Sequence, residues 1–317
     1  MHLPAQGKYL EVECPPVIFL VFNRPEQTRR VFERIRDARP RELFVVADGP
    51  REGHPTDRER CAAVRAIINE VDWDCDLTCD FSTSNLGCGK RVSSGISAAF
   101  ERFEEAIILE DDCLPDPSFF NFCEQLLQKY REDPRVMNIS GNNFQAGQWR
   151  GDGSYYFSKY MHCWGWATWR NAWKYFELSM TAWPQYQESE AFASMCPHLQ
   201  EHSFWCRQFN NSYNNVIDTW DIPWQLTCWI QNGLTILPNV NLVDNIGFCS
   251  DATHTPDGGM RKLGPNGEII QIYHPSEACQ DEAADLFTFS NAFNSIPNTG
   301  KQSFLRSLIR RLVSSEK

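Results

Sequence analysis

The chain has 317 residues, 42% of them hydrophobic, and carries 30 Lys and Arg against 41 Asp and Glu, a formal net charge of −11. That length supports one large domain or two small ones with an ample core. The acidic balance argues against nucleic acid as the main partner, because a phosphate-tracking surface needs a basic excess; a local basic patch can still hold a small phosphorylated ligand.

Strand and helix patterns alternate from the first apolar run. "PVIFLVFN" (16–23) is nearly continuous in apolar residues, as a strand buried on both faces should be. "RPEQTRRVFERIRDA" follows with Val31, Phe32 and Ile35 at helical spacing and Pro25 near its start. "ELFVVADGP" (42–50) predicts a second buried strand closing on the Asp48-Gly49-Pro50 turn. Residues 57–71 read as an amphipathic helix, "CDLTCDFS" (75–82) as a third strand, and "NLGCGKRVSSGISAAFERF" as a Gly-rich loop running into a helix. "AIILEDDCLPDPSFF" (106–120) then ends a fourth strand in Glu110, Asp111 and Asp112. This alternation is the signature of an α/β fold.

From about Gly141 the composition shifts toward Trp, Tyr, Asn and Gly. "YYFSKYMHCWGWATWRNAW" puts Trp169 and Trp173 at helical spacing and Trp164 and Trp166 around Gly165 in an expected loop. One domain is expected over 1–294, divided into halves at about 16–140 and 141–294. Residues 295–301 read as a linker. The segment 301–317 shows Phe304, Leu305, Leu308, Ile309, Leu312 and Val313 on one stripe bordered by basic residues. It reads either as an interfacial anchor making peripheral membrane contact through 301–313, or as a helix docked on its own core. The thirteen cysteines are scattered. Cys75 and Cys79, the closest pair, have no second pair to complete a zinc site, so the thiols are expected to be free, as in a reduced cytoplasmic protein. The first residues show no signal-peptide pattern.

Three adjacent carboxylates at the end of an apolar strand are either solvated at the sheet edge or gathered around a cation, since their mutual repulsion and burial are costly. In open α/β sheets ligands bind outside the carboxyl ends of the strands. Asn23-Arg24 and Asp48-Gly49 supply two further polar strand ends, which favours a site. A hard cation such as Mg²⁺ or Mn²⁺ takes oxygen ligands and needs only one or two carboxylates when a diphosphate supplies the rest. In "SNLGCGKRVSSGI", Gly87 and Gly89 permit close ligand approach. Lys90 and Arg91 place positive charge at a helix start, where amides favour anions. The spacing fits neither a Walker loop nor GxGxxG.

Taken in order, "VIFLVFNRPEQTRR", "ELFVVADGP", "SNLGCGKR", "AIILEDDCLPDPSFFNF" and "WGWATWRNAW" resemble the GT-A nucleotide-sugar glycosyltransferases. The resemblance is to bacterial relatives of the N-acetylglucosaminyltransferase that starts complex N-glycans, and it covers about 16–256. It implies a Rossmann-like sheet with a mixed, Trp-rich acceptor half. It also implies metal-dependent, inverting transfer of a hexosyl or N-acetylhexosaminyl group from a nucleoside-diphosphate sugar, UDP-sugars favoured, to a glycan or lipid-linked acceptor. The same likeness places Phe22, Asn23, Arg24, Arg30, Asp48, Asn85, Lys90, Arg91 and Asp111 on the nucleotide, and Asp112 on Mn²⁺ or Mg²⁺ with His254 returning to the metal. Glu110, Gly165 and Trp166 fall on the donor-sugar and acceptor side, and Asp221 of "TWDIPWQ" is the catalytic base, with Asp218 as the fallback. Glu in place of the first Asp of a DxD motif is a departure that the resembled subgroup shares. Sugar nucleotidyltransferases carry a Gly-rich loop after the first strand, where this chain has "FNRPEQTRR". A non-catalytic carbohydrate-binding protein would suit the Trp-rich half but leaves three carboxylates without a purpose.

Overall fold

A computed structural model describes residues 14–247 and 266–293. His254, the linker at 295–301 and the segment 301–317 lie outside the described residues. The first half runs β1 (Val17–Val21), α1 (Pro25–Ala38), β2 (Glu42–Ala47), α2 (Asp57–Ile68), β3 (Asp76–Phe81), α3 (Cys88–Phe100) and β4 (Glu105–Glu110). After a turn at Asp111 and Asp112 come β5 (Cys113–Pro115), α4 (Pro117–Tyr130) and β6 (Val136–Ser140). The second half adds β7 (Tyr155–Ser158), β8 (Trp166–Trp169), α5 (Arg170–Trp173), α6 (Trp183–Tyr186), α7 (Glu190–Met195), α8 (Leu199–Tyr213) and α9 (Asp221–Ile230). It closes with β9 (Leu234–Pro238), β10 (Val243–Asn245) and α10 (Glu282–Thr288), the last continued by a π-helical turn over Phe289–Phe293.

Eight strands form one sheet in the order β3-β2-β1-β4-β8-β6-β9-β7. The first four are parallel, β8 lies antiparallel between β4 and β6, and β9 is parallel to β6 with β7 antiparallel at the edge. This is the α/β class read from the sequence, a Rossmann-like parallel half joined to a mixed half. β1 is apolar throughout because helices cover both sheet faces: Val17, Phe19 and Val21 enter a core with α1, α2 and α4, whereas Ile18 and Leu20 enter one with α3 and α9. β10 pairs with β5 in a separate two-stranded ribbon, which brings the chain back across the end of β4.

Trp166–Trp169 is a strand, not the expected loop and helix, with Trp166 opposite Ile108 and Ala167 opposite Ile107. Both faces of β8 are buried: Trp166 joins the α3 core, and Ala167 and Trp169 the α4 core. Apolar residues on both faces erase the two-residue alternation that marks a half-exposed strand. A third core collects Tyr160, Trp183, Phe192, Trp205, Phe209 and Trp229 from the helical part of the second half. Lys159 Nζ and Glu201 of α8 form a buried ion pair at 2.6 Å beneath it, and the Tyr160 hydroxyl donates to the same carboxylate. All described cysteines are free, Cys75 and Cys79 among them. Among the described residues no helix is long and apolar enough to cross a membrane.

Layer spacing is tight where α3 crosses β2. A Cβ on Gly95 would collide with the Val46 side chain, so this helix sits on its strand only with glycine at the crossing. Overpacking of this kind costs about 1–3 kcal/mol. Gly95→Ala is therefore expected to lower the urea midpoint correspondingly, and an unchanged midpoint would show that the two layers are more loosely packed than described.

Candidate functional site

The strand order places β1 between β2 and β4, so the chain reverses its direction of travel across the sheet at the β1–β4 pair. A crevice outside the carboxyl ends of the strands forms at such a switch point. Phe22, Asn23 and Arg24 leave β1 there, and Glu110, Asp111 and Asp112 leave β4.

The three carboxylates separate by where the strand stops. Ala106 and Ile108 face the α3 core and Ile107 and Leu109 the α4 core. By the two-residue period of a strand, Glu110 follows Ile108 toward α3. The turn then begins, and Asp111 and Asp112 both reach Arg24: its Nη1 lies 3.3 Å from Asp111 Oδ1 and 2.5 Å from Asp112 Oδ2. Asp111 Oδ2 also accepts the Phe22 amide at 3.0 Å. One guanidinium does not balance this group. Burial first, then the charge of Asp112, pushes the Asp111 carboxyl upward despite Arg24. Burial, then Asp112, Asp111 and Asp221, pushes Glu110 upward as well.

The Gly-rich loop is held to this end of the sheet by Asp48. Its carboxylate accepts the Leu86 and Gly87 amides and the Asn85 side chain at about 3 Å, and the Gly49 amide at 2.8 Å. Asp48, expected on the nucleotide, instead shapes the loop that carries Asn85. The first amides of α3 are also occupied. Asp218 accepts Cys88 N at 2.8 Å and Gly89 N at 2.9 Å, filling the anion seat expected for a phosphate. A side chain at Gly87 would strike that carboxylate, and a Cβ at Gly89 would lie 2.8 Å from it. The two glycines are thus required by Asp218 approaching from the second half. Asp218, the fallback base, is a helix cap.

Several other residues expected at the site have partners within the protein. Asn23 Nδ2 donates to Asp57 at 2.9 Å. Arg51 grips the same carboxylate through Nε at 2.7 Å and covers the Phe22 ring at 5.3 Å. Arg91, expected along a diphosphate, is buried and donates to the Ala47 carbonyl and to Asp80, pinning the ends of β2 and β3. Its position in the second residue pair of α3 turns it under the sheet, whereas Lys90 stays exposed. Arg30 is exposed on α1. Trp166 is fully buried, stacked on Trp220 with centroids 5.2 Å apart. Gly165 adopts φ 62°, and a Cβ there would press on Val243. Neither residue is among those lining the cavity described next. Gly165 makes the bend that lets Trp164 face a cavity while Trp166 enters the core.

That cavity, about 160 Å³, is bounded by His162, Trp164, Gln208, Asp221, Gln225 and Phe293 among others. Asp221 opens α9, and its Oδ1 accepts the Thr219 hydroxyl and the Ile222 amide at 2.9 Å. Oδ2 has no partner among the described residues. The Asp218 cap fixes the preceding segment to α3, and Asp221 both lines the cavity and acts through its charge on Glu110 at the sheet end. The aromatic lining and α8 were not read from the sequence. Their residues are spread from Asn142 to Phe293 with no local spacing to link them.

The strand-end carboxylates suit a hard divalent cation in two respects: the donors are all oxygen, and the negative charge exceeds what Arg24 offsets. Among the described residues, no three His, Cys, Asp or Glu side chains gather at one point. An ion here would therefore rest on one or two carboxylates and draw its other ligands from a bound molecule.

The sequence matches no protein-family model and no curated protein. Among solved structures, the fold is similar to a mannosyltransferase from Pyrobaculum calidifontis in complex with GDP-Man and Mn²⁺, at 15% identity and TM-score 0.35 over 68% of this chain and 74% of that one. It is also similar to the apo form of mouse xyloside xylosyltransferase 1, at 12% identity and TM-score 0.35 over 67% and 80%. A third is UDP-glucose pyrophosphorylase complexed with UDP-glucose, at 11% and 0.32 over 51% and 78%. Likenesses this slight carry no argument about what this chain does.

The crowded carboxylates have a signature in stability. An acid whose folded pKa is raised stabilises the fold while protonated, and that contribution is lost as pH rises from the unfolded value, near 4, through the elevated folded one. In chelator-treated buffer, Glu110→Gln is expected to melt at a higher temperature than wild type at pH 8, with the gap closing toward pH 4. A gap independent of pH would contradict the charge crowding.

Proposed function

We propose that this chain is a metal-dependent, inverting glycosyltransferase of the GT-A class. It would move a hexosyl or N-acetylhexosaminyl unit from a nucleoside-diphosphate sugar, UDP-sugars favoured, to a hydroxyl of a glycan or lipid-linked acceptor. The observation that carries the reading is the pair Asp111 and Asp112 clamped by Arg24 at the β1–β4 switch point, with Asp221 facing the same charge cluster from a cavity wall. A phosphate-cradling loop after β1 would be needed for nucleotidyl transfer; here β1 passes to α1 through Phe22, Asn23 and Arg24 alone.

In this reading Asp112 would hold Mn²⁺ or Mg²⁺ against the donor diphosphate; when bound, the ion compensates charge on the departing nucleoside diphosphate. Arg24 fixes the rotamers of Asp111 and Asp112 through charge-assisted hydrogen bonds, and both Asp111 oxygens are taken up in this support, one by Arg24 and one by the Phe22 amide. Lys90, exposed at the start of α3, adds positive charge on the leaving-group side. Asp221 is oriented through Oδ1 by Thr219 and Ile222, so Oδ2 takes the acceptor's hydroxyl proton as that oxygen attacks the anomeric carbon. In this reading the apolar stripe within 301–313, with its bordering basic residues, would let the enzyme work at the cytoplasmic face of a membrane.

The test is release of nucleoside diphosphate from a panel of nucleotide sugars with Mn²⁺. Asp112→Ala is expected to abolish metal-dependent turnover. Asp221→Asn is expected to keep nucleotide affinity while losing about 100-fold or more in rate, the usual weight of a general base. A wild-type rate in Asp221→Asn would remove the base from the mechanism.

A further inference from the structure

Two buried donors in the wall of the Asp221 cavity have no acceptor among the described residues. Asn142 is 1% exposed and Trp205 4%, both line the cavity, and neither Asn142 Nδ2 nor Trp205 Nε1 has a hydrogen-bond partner there. Two other polar groups of the wall have protein partners. Ser140 Oγ lies 3.3 Å from Asn142 Oδ1, and Gln225 accepts the Met161 amide at 2.8 Å and donates to the Lys159 carbonyl at 3.0 Å. Buried donors are ordinarily satisfied, because an unpaired one carries its full desolvation penalty. Trp166 Nε1 in the core also lacks a partner, but these two donors line a cavity, where a ligand can supply the acceptor.

From this we infer that the cavity seats one neutral sugar unit, the one bearing the acceptor hydroxyl, and that Asn142 and Trp205 select it by donating to its oxygens. The inference rests on the glycosyl-transfer reading for the role given to Asp221. Size limits the occupant: about 160 Å³ is below the roughly 300–1,000 Å³ of sites for drug-sized molecules, which leaves space for a single ring. Phe144, Trp164, Phe204 and Phe293 supply the aromatic walls against which the C–H face of a pyranose packs. Charge limits it further. Among the described residues no Lys or Arg lines the cavity, and the one carboxylate there is Asp221, so a uronate, sialate or phosphate would meet that charge with His162 as the one basic side chain in the wall. A neutral polyol ring meets all three demands, with oxygens for the two N–H groups, a hydroxyl for Asp221 Oδ2 and an apolar face for the rings.

The experiment is ligand-observed NMR titration of the full chain with methyl glycosides of glucose, galactose, mannose, rhamnose and N-acetylglucosamine, and with methyl glucuronide as the anionic control. Nucleoside-diphosphate affinity with Mn²⁺ is measured on the same samples. At least one neutral glycoside is expected to bind, with the glucuronide about tenfold weaker or worse. Trp205→Phe and Asn142→Asp, both near-isosteric, should each weaken the neutral sugar about tenfold, the effect of one lost hydrogen bond. Nucleotide affinity should stay unchanged in both variants. No binding by any neutral glycoside, or binding that both variants retain, would overturn the proposal while intact nucleotide affinity left the transferase reading standing. Sugar binding without nucleotide binding would reject the acceptor role and mark a carbohydrate-binding protein instead.

Discussion

The site is organised by one electrostatic constraint: a buried strand must end in three carboxylates without breaking the sheet that carries it. Arg24, delivered from the neighbouring strand by a connection of three residues, spans Asp111 and Asp112. The Phe22 amide takes another oxygen of Asp111. That partial neutralisation lets the carboxylates remain beside an apolar core, and the residual excess leaves a place where further positive charge is welcome.

A second constraint couples the two halves. Asp218, 130 positions away from Cys88 in sequence, occupies the amides at the start of α3 and requires glycine at 87 and 89. The cap holds the segment leading into α9, and α9 begins with Asp221. The distance between the charged strand end and the cavity is therefore set by two backbone amides held on one short side chain, the Asp218 carboxylate. Orientation of a base relative to a bound donor depends on such rigidity. On the far side of the cavity, the Lys159–Glu201 pair beneath α8 and the Asp285 contacts to Ser158 and Lys159 beneath α10 anchor the helices that carry Trp205 and Phe293.

Much of the first half was legible because its signals are local. Continuous apolar runs mark β1, β2 and β4, and polar residues at their carboxyl ends mark the switch point. The three carboxylates could be located from sequence, but their division could not: Asp111 turns to share Arg24 with Asp112 because the strand stops one residue earlier. Arg91 looked like a phosphate ligand from its neighbours, yet its helical position points it at Asp80. Trp166 looked like a platform for a sugar but is buried in the core, and Trp164 lines the cavity, because both faces of β8 are buried and the apolar pattern loses its period. The cavity itself was invisible, since Asn142, Trp205 and Phe293 meet only in the folded chain.

The central claim is that a nucleotide's pyrophosphate and a divalent ion bind together at the end of β4. Anomalous diffraction from crystals soaked in MnCl₂ with UDP or GDP tests it most directly. A manganese peak within coordinating distance of Asp112, bridged to the diphosphate, is the result expected. Diphosphate density elsewhere, or an Asp112 carboxylate still held by Arg24 with no peak beside it, would contradict the account.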